Sequence, residues 1–151
     1  MRLERELFEH IIKNTPLISI DLIVKNANDE VLLGQRLNRP AQGLWFVPGG
    51  RIFKDERLDD AFMRITSEEL GIKITRSSAR FIGVYEHFYE DNVFNFDYTT
   101  HYVVHGYEII LDEKDLELPV TQHDLYQWLN VNDLLDDPRV HFNTKNYFIS
   151  R

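Results

Sequence analysis

Apolar residues recur at Leu3, Leu7, Phe8, Ile11 and Ile12, the spacing of one helix face, and Pro16 bounds the run. The period then changes. Residues 17–25 form a continuous run rich in branched side chains, which predicts a strand. Asn26-Ala27-Asn28-Asp29 reads as a turn into a returning strand over residues 31–36. A polar loop over residues 38–43 leads to a short apolar strand, Trp45-Phe46-Val47, and Pro48-Gly49-Gly50 is expected to break regular structure. Residues 58–70 carry a helical period, with Gly71 where a terminating glycine belongs. Beyond it, residues 80–88 and 99–110 alternate as strands around an aromatic and acidic loop. Residues 112–117 read as a charged turn or short helix, residues 127–130 as a last strand, and the tail from Asn143 as a final helix. This order of elements predicts an α/β (α+β) sandwich, a mixed sheet with helices packed on it.

Composition narrows the function. The chain has 151 residues, enough for one ordinary domain and too few for two. Seventeen basic residues against 25 acidic ones give a net charge of −8, which argues against nucleic acid or an anionic membrane as partner. With no cysteine, disulfides, thiolate metal sites and thiol catalysis are excluded. The first residues carry charges of both signs and no apolar core, unlike a signal peptide. The apolar run over residues 17–24 is too short to cross a bilayer and contains Asp21. A cytoplasmic, soluble, single-domain protein is expected. Aromatic residues reach 13%, which suits a well-filled core, a stacking site for a flat ligand, or both.

Chemistry gathers on the helix over residues 58–70. On a helical wheel Leu58, Ala61, Phe62 and Ile65 share one face, and Glu69 falls on that face about 20° from Leu58. A carboxylate within a core stripe is costly unless it is paired or binds a metal. Glu68 lies on the flank, four residues after Arg64, where an ion pair can form. Taken alone, two glutamates at a helix end also fit a solvated face.

The segment around this helix resembles the Nudix box, G-x5-E-x7-R-E-U-x-E-E-x-G-U with U a bulky aliphatic. Gly50, Glu56, Arg64, Glu68, Glu69, Gly71 and Ile72 fall on its positions. Two positions depart: Ile65 stands where the box has the glutamate of its R-E pair, and Thr66 replaces an aliphatic. In Nudix proteins the box glutamates hold Mg²⁺ or Mn²⁺ against a pyrophosphate, and Mg²⁺ does favour a few carboxylate oxygens plus substrate phosphates and water. Loss of the glutamate at position 65 implies fewer bound metals and a base from elsewhere, or a dead enzyme.

The resemblance extends over nearly the whole chain to the GDP-mannose mannosyl hydrolases, a Nudix family with the same departure in the box. It is carried by Thr15-Pro16-Leu17, Arg36, residues 38–43 and 45–51, His87-Phe88-Tyr89, Asp97, residues 99–104 and Gln122-His123-Asp124. That resemblance implies one Nudix domain over residues 1–151. It implies Mg²⁺-dependent hydrolysis of GDP-mannose, with GDP-glucose as a second candidate, to GDP and the free sugar. Water attacks sugar C1 with inversion, and a single divalent cation, Mg²⁺ or Mn²⁺, neutralises the leaving diphosphate. Transferred by position, Gly49 (backbone carbonyl), Glu69 and Gln122 (side-chain carbonyl) are metal ligands, and His123 is the general base.

Arg36 and Arg51 would hold phosphates, since guanidinium forks match phosphate oxygens, although either could be a surface charge. Asp21, His87 and Tyr102 correspond to residues lining the sugar and leaving-group site. Leu3 and Phe8 correspond to nucleotide contacts across a homodimer, and a core or interface role fits them equally. Arg64 reads as a partner of Glu68 or Glu69. His10, His101, His105 and His141 read as packing or surface residues. The competing readings are a conventional Nudix pyrophosphohydrolase cleaving P–O and a catalytically dead nucleotide-sugar-binding domain.

Overall fold

The computed structural model describes residues 2–119 and 123–149, and for positions 123 and 124 the backbone alone. The first helix, α1, spans Arg5–Asn14, two residues later than the apolar period suggests. Strands β1 (Leu17–Lys25) and β2 (Val31–Arg36) occupy the predicted ranges, and β3 is Trp45–Phe46. Gly49–Arg51 corrects the sequence reading: these residues do not break the structure but form a short strand, β4, antiparallel to β1. Backbone pairing with a central strand overrides the low strand preference of glycine.

Helix α2 (Leu58–Leu70) follows as predicted and ends at Gly71 in the left-handed conformation, φ 72°. A side chain at Gly71 would also overlap the Glu117 backbone, so two independent reasons call for glycine. Strands β5 (Arg80–Tyr89) and β6 (Thr100–Ile110) match their predicted alternation to within a residue. Asp112 caps the short 3₁₀ turn Glu113–Asp115. Strand β7 (His123–Leu129) starts earlier than expected, so position 123 lies in a strand and not in a loop. Helix α3 (Val131–Asp136), absent from the sequence reading, is capped by the Asn130 side chain. Helix α4 (Phe142–Lys145) and a 3₁₀ turn over Asn146–Phe148 make the expected C-terminal helical segment.

Among the described residues the strands join one seven-stranded mixed sheet ordered β3-β2-β1-β6-β5, with β4 added to β1 and β7 to β2. The β1·β6 pair is parallel and the others are antiparallel. Strand β1 is buried on both faces, which explains its continuous apolar run. Ile20, Leu22 and Val24 pack with Ala61, Phe62, Ile65 and Leu70 of α2. On the opposite face Ile23 packs with Val31, Leu33, Trp45 and Leu134. The sheet thus lies between α2 and the C-terminal helices. Among the described residues no helix is long and apolar enough to cross a membrane.

Candidate functional site

Side-chain alternation in β1 puts Ser19, Asp21 and Ile23 on the face away from α2. Asp21 therefore opens into a cleft of about 300 Å³ built from six strands and α2. The cleft gathers Asp21, Arg36, Gly49, Arg51, Glu69, His87 and Tyr102, seven of the positions singled out in the sequence. The β5·β6 register sets His87 opposite Tyr102, and the β1·β4 register sets Asp21 opposite Gly49. A bulge at Gly83, where φ is +139°, interrupts the β5 ladder.

Glu69 comes to the cleft from α2 and is only 4% exposed. Its Oε1 accepts the Gly49 N–H at 3.1 Å, while Oε2 is buried with no partner among the described residues. Burial pushes the carboxyl up to about 7. The Gly49 hydrogen bond opposes the shift, and the negative charges of Glu68 and Asp21 add to it. A buried carboxylate oxygen without a proton donor, beside a cleft that also holds Arg36 and Arg51, fits a hard divalent cation. Among the described residues no cluster of three or more His, Asp or Glu is placed to hold a metal. From the described residues a cation here would draw on Glu69 together with neutral oxygens, water and substrate. Gly49 has to be glycine, because a Cβ would overlap the Asp21 carboxylate and the Ile20 carbonyl. Ile65, in the place of the box glutamate, is fully buried, and a Cβ on Gly50 would lie 3.1 Å from its Cγ1. Apolar packing fills that position.

Glu68, by contrast, is exposed and pairs with Arg64 at 3.1 Å. Arg64 thus makes the expected pair, but holds a further partner more closely. Its principal partner is neither Glu68 nor Glu69 but Glu56, gripped through Nε at 2.7 Å and Nη2 at 2.9 Å. Nη2 also donates to the Arg51 carbonyl at 2.8 Å, tying the helix to the cleft wall. The sequence placed Glu56 in the box without giving it this task.

Both cleft arginines rest on aromatic rings. The Arg36 guanidinium lies 4.4 Å from the Phe46 centroid and 5.7 Å from that of Tyr89, and donates to the Pro40 carbonyl at 3.2 Å. Arg51 lies 4.9 Å from the Phe8 ring and 5.0 Å from Phe53, with its pKa lowered chiefly by burial. It also lines an adjoining cleft that contains Leu3 and Phe8. Phe8 meets Phe94 edge-on there, so these two residues border the site and also pack.

Asp21 is held at a carboxyl pKa of about 6, raised by burial and opposed by a hydrogen bond from Tyr147 and by the charge of Arg36. Tyr147 escaped the sequence reading, since no spacing links it to β1. Position 123 faces Arg36 in the β2·β7 register, while its side chain and the whole of Gln122 lie outside the described residues. His141 has the packing role expected. It stacks on Phe46 with centroids 4.8 Å apart, and its Nδ1 accepts the Asn143 N–H at 3.0 Å.

A sequence profile of the NUDIX domain matches residues 15–149. The chain belongs to the NUDIX domain family. Within it, the chain is 43% identical over 122 residues to the low-salt glycan biosynthesis protein Agl8 of Haloferax volcanii, covering 81% of this chain and 76% of that one. The NUDIX fold recurs in a MutT protein from Methanosarcina mazei, at TM-score 0.70 and 21% identity, over 89% of this chain and 92% of that one. It recurs again in a MutT NUDIX hydrolase from Burkholderia pseudomallei, at TM-score 0.69 and 23% identity, over 89% and 96%. NUDIX hydrolases as a family generally use divalent metals and act on nucleoside diphosphate compounds.

Proposed function

We propose that this NUDIX protein hydrolyses a GDP-sugar, GDP-mannose first and GDP-glucose second, to GDP and the free sugar by attack of water at sugar C1 with inversion. The observation that carries this reading is Ile65. With that position packed by an apolar side chain, Glu69 is the one box glutamate lining the cleft among the described residues. Such a site suits charge neutralisation of a leaving diphosphate better than multi-metal activation of water at phosphorus. The likeness to Agl8, a protein named for glycan biosynthesis, supports a nucleotide sugar as substrate.

In this reading Arg36 and Arg51 grip the phosphates, each stiffened by the aromatic rings beneath it. Asp21 and His87 take the sugar, with Tyr102 at the leaving-group side. His123 accepts the proton of the attacking water, a task that suits imidazole near neutral pH. Glu69, the Gly49 carbonyl and the Gln122 side-chain carbonyl would hold a Mg²⁺ or Mn²⁺, whose charge neutralises the departing diphosphate. Leu3 and Phe8 border the nucleotide. The same reading takes residues 1–151 as one cytoplasmic domain working as a homodimer.

The test is hydrolysis of GDP-mannose with Mg²⁺ in ¹⁸O-labelled water. Label at C1 of β-mannose, with unlabelled GDP, is expected. Label in GMP or mannose 1-phosphate means attack at phosphorus and overturns the reading. Binding of GDP-mannose without any product means a binding domain.

A further inference from the structure

Tyr147 stands in the 3₁₀ turn near the C-terminal end, yet its hydroxyl reaches the central strand. It donates to Asp21 Oδ2 at 2.6 Å and lies 3.4 Å from His87 Nε2. Asp21 and His87 line the cleft, and Tyr147 touches both from outside its lining. The ring is held independently of the hydroxyl. It packs against Tyr85 with centroids 4.5 Å apart. The position paired with Asp21 across the β1·β6 ladder is Gly106, and a Cβ there would lie 3.2 Å from the Tyr147 ring. The missing side chain at Gly106 thus leaves the space through which Tyr147 approaches Asp21.

We propose that Tyr147 is a positioning residue that fixes Asp21 and His87 as a pair of hydrogen-bond acceptors for the hydroxyl groups of a sugar. The proposal rests on the nucleotide-sugar reading above. A phenol has one proton, and at 2.6 Å that proton is committed to Asp21, because an ionised carboxylate can only accept. The phenolic oxygen then has only lone pairs to offer, so a hydrogen bond across the 3.4 Å to His87 requires Nε2 as the donor. That sets the Nε2–H tautomer and leaves Nδ1 as an acceptor. His87 is neutral at pH 7, pushed down to about 4 by burial and by the charges of His141 and Arg36. Asp21 spends one oxygen on Tyr147 and keeps the other. Two acceptors fit the hydroxyl donors of a pyranose, while a phosphate brings no proton for them and is repelled by the carboxylate. The pair is thus matched to the sugar, while the neighbouring Arg36, whose charge reaches both residues, and Arg51 are matched to the diphosphate.

The experiment compares wild type with Tyr147→Phe, which keeps the ring and removes the hydroxyl. Three quantities are read: kcat and KM for GDP-mannose, the competitive inhibition constant of GDP, and the ¹⁵N spectrum of the His87 ring in histidine-labelled protein without substrate. Loss of one hydrogen bond to a charged group corresponds to a fall in kcat/KM of about 10–100-fold. The inhibition constant of GDP, which has no sugar, stays within about twofold of wild type. The His87 ring shows a protonated Nε2 and bare Nδ1 in wild type and loses that preference in the variant. An unchanged kcat/KM, or equal weakening of GDP and GDP-mannose, overturns the proposal. A wild-type His87 protonated at Nδ1 overturns it as well, whatever the activity. If wild type leaves GDP-mannose intact, the nucleotide-sugar reading and the sugar-facing part of the proposal fall together. The His87 spectrum then still decides whether Tyr147 positions the pair.

Discussion

Replacing Arg64 with Met tests whether the loop before α2 is pinned by one guanidinium. The side chain makes a two-pronged ion pair with Glu56 at 2.7 and 2.9 Å, donates to the Arg51 carbonyl at 2.8 Å, and lies 3.8 Å from the Phe53 ring centroid. Its bond to Glu68 adds little, because the Glu68 side chain is 53% exposed. Removing one partner of a fully buried ion pair costs about 3–5 kcal/mol, and the partial exposure of this pair reduces the expected cost to about 2–3 kcal/mol. For a chain of this size that lowers Tm by roughly 5–10 °C.

The assay is chemical denaturation of wild type, Arg64→Met, Glu56→Gln and the double variant, giving a coupling energy of about 2 kcal/mol at pH 7. The hydrogen bond from Arg64 holds the Glu56 carboxyl below its ordinary value of 4.5; burial opposes this, and the Phe53 N–H assists it. A depressed carboxyl pKa means that the unfolded chain takes up the proton first as pH falls. The coupling is therefore complete above about 4.5 and is lost as pH drops through the folded-state value. An Arg64→Met variant within about 1 kcal/mol of wild type refutes the reasoning, as does a coupling undiminished at low pH.

Two further outcomes are expected. Mg²⁺ should raise the melting temperature of wild type but not of Glu69→Gln, whose turnover falls by about 100-fold or more; an equal rise in both removes Glu69 from the metal site. Because burial holds His87 down at about 4 against an ordinary 6.5, the stability contributed by neutral His87 is complete above pH 6.5 and declines as pH falls toward 4. His87→Gln should flatten that part of the pH–stability curve by up to about 3 kcal/mol, and an identical curve in the variant removes His87 as its source.

The sequence was most legible where one residue type answers one local demand. The branched run of β1, the period of α2 and the glycine at 71 each predict their element, because side-chain pattern and backbone geometry agree there. Glu69 stood out for the same reason, a charge on an apolar stripe. What the pattern missed depends on partners distant in the chain. Gly49–Arg51 becomes a strand only because β1 offers a free ladder edge at Ser19–Asp21. The six residues of α3 are too few to show a period. Glu56 carries no sign that it will hold Arg64 and through it the Arg51 carbonyl. Tyr147 looks like any aromatic in a tail until the fold brings it against Asp21.

The parallel pairing of β1 with β6 also governs when the molecule can fold. Leu17 pairs with Tyr102 and Lys25 with Ile110, so the central strand finds one of its three partner strands only after most of the chain has been made. During synthesis α2 can cover one face of β1, but the β1 edge stays open, an apolar ladder without a partner. Contacts so distant in sequence make for slow closure and a long exposure to aggregation. Arg36, Arg51 and Glu69 leave the ribosome well before Tyr102 and Tyr147. The nascent chain therefore carries an incomplete sheet through most of its synthesis, and the cleft closes in the same late step that seals the sheet.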